Sequence, residues 1–351
     1  MTAKTEPEAR NHAFADGIDV NRLNEWLHRE VSGFEGVTLL ERFSGGQSNP
    51  TYKLITPDRR YVLRRKPAGL IVKGAHAIER EAQIMSALAS TKVPVPRVYA
   101  VCDDSSIIGT PFYLMEMVDG RNFVDPALPG LDQNARNAIF DAQNATIAEL
   151  HSIDPVRIGL DNYGRRDKYL ERQIARWSSQ YTSDHIAPRN ADLDWLVDWL
   201  PAHIPADDET TIVHGDFRLD NLIFDPLEPK VIAVLDWELS TLGHPLADFA
   251  YHLMTYRMPR LTIAGLAGQD LAKLGIPAEA DYVSKYCART GRSSIPDLPY
   301  YLAFNLFRFA AIIHGIHGRL IRGNAASARA ASLVQDLPII AQLARKEAAL
   351  V

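Results

Sequence analysis

Three polar side chains whose types and spacing could carry out chemistry lie in the second half of the chain. Asp216 is followed five positions later by Asn221, and Asp236 comes fifteen positions after that. Apolar runs at 222–224 and 231–235 flank them and are typical of buried strands, at whose ends polar groups usually line a cleft. Since Mg²⁺ takes oxygen ligands and one acid positions the accepting hydroxyl, this order of acid, amide and acid indicates phosphoryl transfer.

The composition predicts a globular protein and argues against several classes of function. With 351 residues, 46% of them hydrophobic, the chain can bury a large core and is long for one compact unit. A formal net charge of -5 offers no basic field, so we expect no nucleic-acid partner. Two cysteines are too few for a disulfide framework and indicate a reducing cytoplasm. The first eleven residues lack the apolar core of a signal peptide, and the apolar segment 300–318 carries Asn, Arg and His, so we expect neither export nor a membrane span.

The order of the predicted elements indicates two lobes of different composition. Residues 1–17 resemble a disordered lead-in, residues 18–117 a β-rich first lobe, and residues 118–351 a second lobe made mainly of helices. The first lobe is predicted to contain a helix from Asp19, hairpins between 37 and 64, a helix at 73–89, and strands at 97–101 and 112–117. The helices predicted for the second lobe are 131–151, 169–181, 192–200, 246–256, 261–274, 281–290, 299–322 and 326–346.

The motif around Asp216 resembles that of a known family. His214-Gly215-Asp216 with Asn221 resembles the H-G-D-x-x-x-x-N catalytic loop of the aminoglycoside phosphotransferase and choline kinase group, relatives of the protein kinases. The stretches G-G-Q-S-N-P-T, V-L-R-R-K-P and V-L-D-W-E-L-S-T-L-G-H-P are most similar to the kinase-like domain fused to some acyl-CoA dehydrogenases. This resemblance implies an α+β, protein-kinase-like two-lobed fold and Mg²⁺-dependent transfer of phosphate from ATP to a small-molecule hydroxyl. Hydroxyacyl-CoA is the acceptor class that it suggests.

The resemblance also implies roles for individual residues of the second lobe. Asp216 would be the catalytic base, Arg218 would face the γ-phosphate, and Asn221 and Asp236 would bind Mg²⁺. Asp248 resembles the buried acid that holds the catalytic loop through its backbone amides.

In the first lobe the resemblance implies a nucleotide site with one departure from the family pattern. Arg64 stands where the family has a phosphate-binding lysine, and Glu81 would pair with it. The other expected nucleotide contacts belong to a glycine-containing loop and a hinge, at Gly45, Gly46, Ser48, Asn49, Glu116 and Val118.

Several alternatives stay open from the sequence. Arg64 and the Trp237-Glu238 pair also fit a nucleotide-binding pseudokinase, and an antibiotic-modifying aminoglycoside kinase is a further possibility. A metal-dependent hydrolase would instead use as ligands His214, Asp216, His244 and Asp248. Arg218 has an alternative partner in Asp220, and the roles of His214, Glu238 and Arg308 are left open, as is the oligomeric state.

Overall fold

The chain forms two compact units in a computed structural model that describes residues 14–15, 17–43, 49–67, 77–323 and 328–351. The first unit consists of Met1–Ser90 and Val95–Val118. The second consists of Thr91–Pro94 and Asp119–Val351. The four residues 91–94 join the second unit because the amide of Val234 donates to the carbonyl of Pro94 at 2.8 Å.

The first unit is built on an antiparallel five-stranded sheet. Its strands lie in the order β3-β4-β5-β7-β6, and helix α2 packs on β6 and β7. The alternating pattern of β4, with Tyr52 and Leu54 buried, directs one face of the sheet into a core shared with Trp26 and Phe112. The elements of this unit are β1 (Phe14–Ala15), β2 (Ile18–Asp19), α1 (Val20–Glu30), β3 (Leu39–Arg42), β4 (Thr51–Ile55), β5 (Arg60–Arg65), α2 (Ile78–Leu88), β6 (Val98–Cys102) and β7 (Phe112–Glu116).

The second unit is mainly helical and contains two short antiparallel strand pairs, β8 with β11 and β9 with β10. The long apolar helix α9 lies at its centre, in contact with α4, α5, α6 and α10. The elements are α3 (Gln133–His151), α4 (Tyr169–Ser183), α5 (Ala191–Ala202), β8 (Thr211–Val213), β9 (Leu222–Phe224), β10 (Val231–Val234), β11 (Thr241–Gly243), α6 (Pro245–Arg257), α7 (Leu271–Leu274), α8 (Glu279–Thr290), α9 (Leu298–Ile321) and α10 (Ala328–Ala348).

The α+β organisation expected from the sequence is confirmed, and one local prediction needs correction. The helix predicted at 261–274 forms only over Leu271–Leu274, because Asp270 caps a new helix there and the preceding residues turn back onto the end of α6. The disordered lead-in predicted for 1–17 falls mostly outside the described residues and stays a prediction; within that range the structure describes a pairing of Phe14–Ala15 with Ile18–Asp19. In the part of the chain that the structure describes, no helix combines the length and apolarity needed to cross a membrane.

Helix α6 is joined to the loop that follows β8 by the buried carboxylate of Asp248. Its two oxygens accept the backbone amides of His214 and Gly215, each at 2.8 Å, and Oδ2 lies 3.2 Å from the Nε2 of His151. Burial by itself would raise the pKa of Asp248, but the hydrogen bond and charge of His151, together with the His214 amide, hold that pKa below its ordinary value. The loop backbone is therefore held by the ionised form of the Asp248 carboxylate.

We expect Asp248→Asn to destabilise the protein by about 3 kcal/mol at pH 7, because the second amide of the loop would meet an NH₂ group instead of an oxygen. Since the folded-state pKa is lowered, this contribution is complete above the ordinary carboxyl pKa of about 4 and is lost as the pH falls through the lower folded value. Urea unfolding of both proteins between pH 7 and pH 3 measures it.

The matched control is Asp198→Asn, which changes an exposed carboxylate on α5 and should alter stability by less than about 0.5 kcal/mol at every pH. A stability gap between wild type and Asp248→Asn that stays constant down to pH 3 would contradict the role given to the ionised carboxylate.

Candidate active site

In the first unit, the carboxylate of Glu81 on α2 forms an ion pair and accepts hydrogen bonds. Arg64 Nε on β5 lies 2.9 Å from Oε2, Tyr113 donates its hydroxyl to the same oxygen at 3.0 Å, and Asn49 donates its amide to Oε1 at 3.0 Å. The side chains of Arg64 and Glu81 are 13% and 2% exposed, so this ion pair is buried and needs such additional hydrogen bonds. The pairing of Arg64 with Glu81 expected from the sequence is present, and Asn49 serves it as well.

The remaining predicted nucleotide residues divide into two groups. Gly45, Gly46 and Ser48 lie outside the described residues. Glu116 ends β7, where its amide donates to the carbonyl of Arg97 at 2.8 Å, and Val118 follows it as the last residue of the first unit.

In the second unit, the loop carrying Asp216 turns sharply at Gly215. Gly215 has a φ of +82°, and a Cβ there would lie 2.7 Å from the carbonyl oxygen of Leu239, so only glycine fits. His214 is fully buried, accepts the amide of Asp216 at Nδ1 and therefore donates from Nε2 to the carbonyl of Leu235 at 2.8 Å. Among the alternatives for His214, the structure favours a neutral histidine that shapes the loop.

The carboxylate of Asp216 is held on both of its oxygens. Asn221 donates its amide to Oδ2 at 3.0 Å and to the backbone carbonyl of Asp216 at 2.8 Å. Tyr251 of α6 donates its hydroxyl to Oδ1 at 2.6 Å, and Arg218 Nε lies 3.2 Å from the same oxygen. A carboxylate placed in this way has a defined direction in space, which is what a group that orients a substrate hydroxyl requires.

Asn221 and Asp236 flank the hairpin of β9 and β10: Asn221 directly precedes β9, and Asp236 lies two residues after the end of β10. The amide of Leu235 donates to the carbonyl of Asn221 at 2.8 Å, so the residue that follows, Asp236, begins beside Asn221. Asp236 has a φ of +63°, a left-handed conformation that non-glycine residues rarely adopt outside functional sites and turns. Because the Asn221 amide nitrogen is used on Asp216, its Oδ1 is the atom left for a cation, and an amide oxygen with a carboxylate is a donor set that suits Mg²⁺.

Arg218 bridges two carboxylates of the loop. Its Nη2 lies 3.0 Å from Asp220 Oδ2, and its Nε faces Asp216. Burial would lower the pKa of Arg218, but the charge of Asp216 raises it above the ordinary value, so the guanidinium remains a cation. The position of Arg218 is therefore compatible both with pairing to Asp220 and with a role beside the γ-phosphate, since the guanidinium that pairs with Asp220 also lies beside the predicted base, Asp216.

Two residues that hold this loop had no predicted role, Tyr251 and Arg308. Arg308 on α9 donates to the carbonyl of Gly215 at 2.7 Å, and its guanidinium carbon lies 5.0 Å from the ring centroid of Tyr251 and 5.5 Å from that of Trp177. The sequence had marked Arg308 as a cation in an apolar helix that needs a partner, but it had no signal for Tyr251.

A cavity of about 220 Å³ lies within the second unit and is connected to Asp216 through shared wall residues. Arg218, Asp220 and Tyr251 form part of its wall, and two of these side chains also contact Asp216. Burial lowers the pKa of His252, another wall residue, to about 3, so this ring is neutral at physiological pH. Much of the remaining wall is apolar or aromatic, including Phe140, Met254, Tyr256, Met258, Ile263 and Phe309.

The ligand set of the alternative metal-dependent hydrolase is not assembled. His244 caps α6 by accepting the amide of Leu246 at 3.2 Å, His214 binds the Leu235 carbonyl, and Asp248 binds backbone amides. Across the described ranges, no three His, Cys, Asp or Glu side chains are grouped closely enough to hold a metal ion. Each of these residues has a structural partner instead.

Two known proteins share nearly half of their aligned residues with this chain. Acyl-CoA dehydrogenase family member 10 of Mus musculus is 48% identical over 293 residues, which are 83% of this chain but only 27% of that protein. A crystal structure from Ralstonia eutropha JMP134, described as a "putative aminoglycoside phosphotransferase", superposes with a TM-score of 0.88 at 47% identity and covers 95% of this chain and 98% of its own.

A more distant structure shares the fold. A thermostable mutant of aminoglycoside phosphotransferase APH(4)-Ia, solved as a ternary complex with AMP-PNP and hygromycin B, has a TM-score of 0.60 at 17% identity and covers 92% of this chain and 98% of its own. The protein-kinase-like fold class expected from the sequence is thus confirmed. The model of the phosphotransferase enzyme family matches residues 39–282, more than half of the sequence, and this chain therefore belongs to that family.

Proposed function

We propose that this protein transfers the γ-phosphate of ATP to a hydroxyl of a small molecule in a Mg²⁺-dependent reaction. The observation that carries the proposal is the Asp216 carboxylate, which Asn221 holds at the spacing of the family motif and which lies beside a cavity able to receive an acceptor. The relative solved with AMP-PNP and hygromycin B binds an ATP analogue together with its acceptor, which supports ATP as the donor here.

In the proposed mechanism, Asp216 orients the acceptor hydroxyl and takes its proton late, as suits a loose transition state with little need for early deprotonation. Asn221 Oδ1 and the Asp236 carboxylate would hold Mg²⁺, which when bound neutralises charge on the phosphates. Arg218 adds a positive charge beside the transferred group. In the first unit, Arg64, kept in place by Glu81, would neutralise the non-transferred phosphates, with the hinge at Glu116 and Val118 contacting the adenine.

For the acceptor we propose an apolar molecule with an anionic or polar end, of which a hydroxyacyl-CoA is the representative class. The cavity wall is mainly aromatic and aliphatic, and its carboxylates, Asp125 and Asp220, are matched in number by the cations Arg218 and Arg329. A polycationic aminoglycoside would be expected to meet a wall in which carboxylates predominate. The name of the mouse relative, an acyl-CoA dehydrogenase family member, supports the same chemistry because a kinase-like domain in such a chain would meet acyl-CoA compounds.

We expect Asp216→Asn to lower turnover by about 10²- to 10⁴-fold with little change in nucleotide affinity, because the amide cannot take the hydroxyl proton. The measurement is ATP consumption across hydroxyacyl-CoAs, aminoglycosides and amino alcohols, together with calorimetric binding of Mg-ATP. Asp225→Asn changes a partly exposed carboxylate that accepts turn amides between β9 and β10, outside the proposed site; it serves as the control and should retain wild-type turnover.

Wild-type turnover by Asp216→Asn would refute the assignment of the base. Binding of Mg-ATP without transfer to any acceptor by the wild-type protein would favour the pseudokinase alternative, which rests on Arg64 in place of lysine.

We also expect Ala264→Phe to lower kcat/KM for the acceptor by about tenfold or more, since a phenyl ring on the cavity wall would occupy part of its volume. The KM for ATP should change little. Steady-state kinetics with each substrate varied in turn measures both effects.

As a control, Ala202→Phe adds the same ring at an exposed position at the end of α5. If Ala264→Phe leaves the acceptor kinetics unchanged, the acceptor does not bind in this cavity.

A further inference from the structure

Helix α6 contacts the Asp216 loop at two points that lie one helical turn apart. Asp248 binds the loop backbone, and Tyr251, three residues later on the same face of the helix, donates its hydroxyl to Asp216 Oδ1 at 2.6 Å. The first contact fixes where the loop runs. The second acts on the side chain of the proposed base itself.

Tyr251 has little freedom to leave this contact. Its residue is 8% exposed, and the Arg308 guanidinium, which is anchored on the Gly215 carbonyl, lies over its ring at 5.0 Å. Burial, followed by the negative charge of Asp216, raises the pKa of Tyr251 well above its ordinary value. The phenol therefore stays protonated at physiological pH, and an ionised carboxylate can only accept its proton as a hydrogen bond.

The two oxygens of Asp216 differ in what they can offer to a substrate. Oδ2 is bound by the amide of Asn221, a residue that also holds the loop backbone. Oδ1 accepts the shorter hydrogen bond, from Tyr251 at 2.6 Å, and lies 3.2 Å from Arg218 Nε; both side chains form part of the cavity wall. An acceptor hydroxyl that enters the cavity and hydrogen-bonds to Oδ1 must share that oxygen with the phenol or displace it.

We propose that Tyr251 is a positioning residue that occupies Asp216 Oδ1 in the absence of an acceptor and so restrains phosphate transfer to water. This inference rests on the proposed function. It goes beyond that function because it concerns what the site does when ATP is bound and no acceptor is present. Phosphotransferases face this problem generally, since water is a far more concentrated nucleophile than any substrate.

The restrained reaction is hydrolysis of ATP. The oxygen of a water molecule would bond to the γ-phosphorus, the bond from that phosphorus to the bridging oxygen of ADP would break, and the water proton would pass to the Asp216 carboxylate and then to solvent. The products are ADP and inorganic phosphate. Orientation of the water by Asp216 Oδ1 is the step that the phenol blocks.

Removing the Tyr251 hydroxyl should open this route. Tyr251→Phe would remove one oxygen atom next to the Asp216 carboxylate. The space left there is polar, and a water molecule can fill such a space. We expect acceptor-independent ATP hydrolysis, relative to phosphate transfer, to rise on the order of tenfold, the effect of losing one hydrogen bond to a charged group. The measurement is ADP release with and without a hydroxyacyl-CoA acceptor, each at saturating Mg-ATP.

Two further variants separate positioning from general damage. Tyr300→Phe removes another buried phenol hydroxyl, which donates to the carbonyl of Leu200 at 2.9 Å, and should leave the ratio of hydrolysis to transfer unchanged. The double variant Asp216→Asn with Tyr251→Phe should lose the added hydrolysis, because that reaction uses the freed carboxylate. A purely structural defect would lower hydrolysis and transfer together and would not move their ratio.

The outcomes distinguish this inference from the proposed function. Transfer by the wild-type protein without added hydrolysis in Tyr251→Phe would overturn the inference and leave the function standing. Added hydrolysis in Tyr251→Phe without transfer to any acceptor would support the inference and contradict the assigned acceptors. Absence of ATP turnover in every variant would overturn both.

Discussion

The geometry of the second unit depends on one buried negative charge, the carboxylate of Asp248. A buried carboxylate is costly unless it is hydrogen-bonded, and here two backbone amides and a histidine provide partners for both oxygens. The hydrogen bonds that offset the cost of burying this charge also fix the loop, because the backbone must follow a path that places both amides within reach of the carboxylate. Gly215 makes that path possible, since its left-handed conformation brings consecutive amides towards the same carboxylate.

The polar and charged side chains of the site contact one another, so that each restricts the rotation of its neighbour. Arg308 contacts the loop carbonyl and the ring of Tyr251, Tyr251 contacts Asp216, and Asn221 connects the Asp216 side chain to its own backbone. Networks of this kind are more directional than isolated pairs, because no member can rotate without breaking a second contact. The wall of the neighbouring cavity is mainly apolar and aromatic apart from a few charged side chains such as Arg218 and Asp220, and the ring of His252 in that wall is neutral.

Sequence reasoning reached those parts of the site that depend on local spacing. The apolar runs beside Asn221 and Asp236 predicted the two strands β9 and β10 correctly, and the family resemblance led to the Arg64–Glu81 pair and to Asp248. The role of Tyr251 could not be predicted from the sequence. A tyrosine on a buried helix gives the same sequence pattern whether its hydroxyl binds a core carbonyl or a carboxylate 35 positions away. The prediction of a helix at 261–274 was wrong. The apolar residues there fit a helical period, but hydrogen bonds to the end of α6 and the residues after it hold the first part of the segment in turns.

The arginine at position 64 has a chemical consequence apart from its charge. A lysine amine releases its proton readily when it is buried and is then a nucleophile, which is why lysines become acylated. A guanidinium stays protonated and is a poor nucleophile. Because Arg64 is fixed by Glu81, the first unit keeps a cation at this position and offers there no amine that an acylating agent could modify.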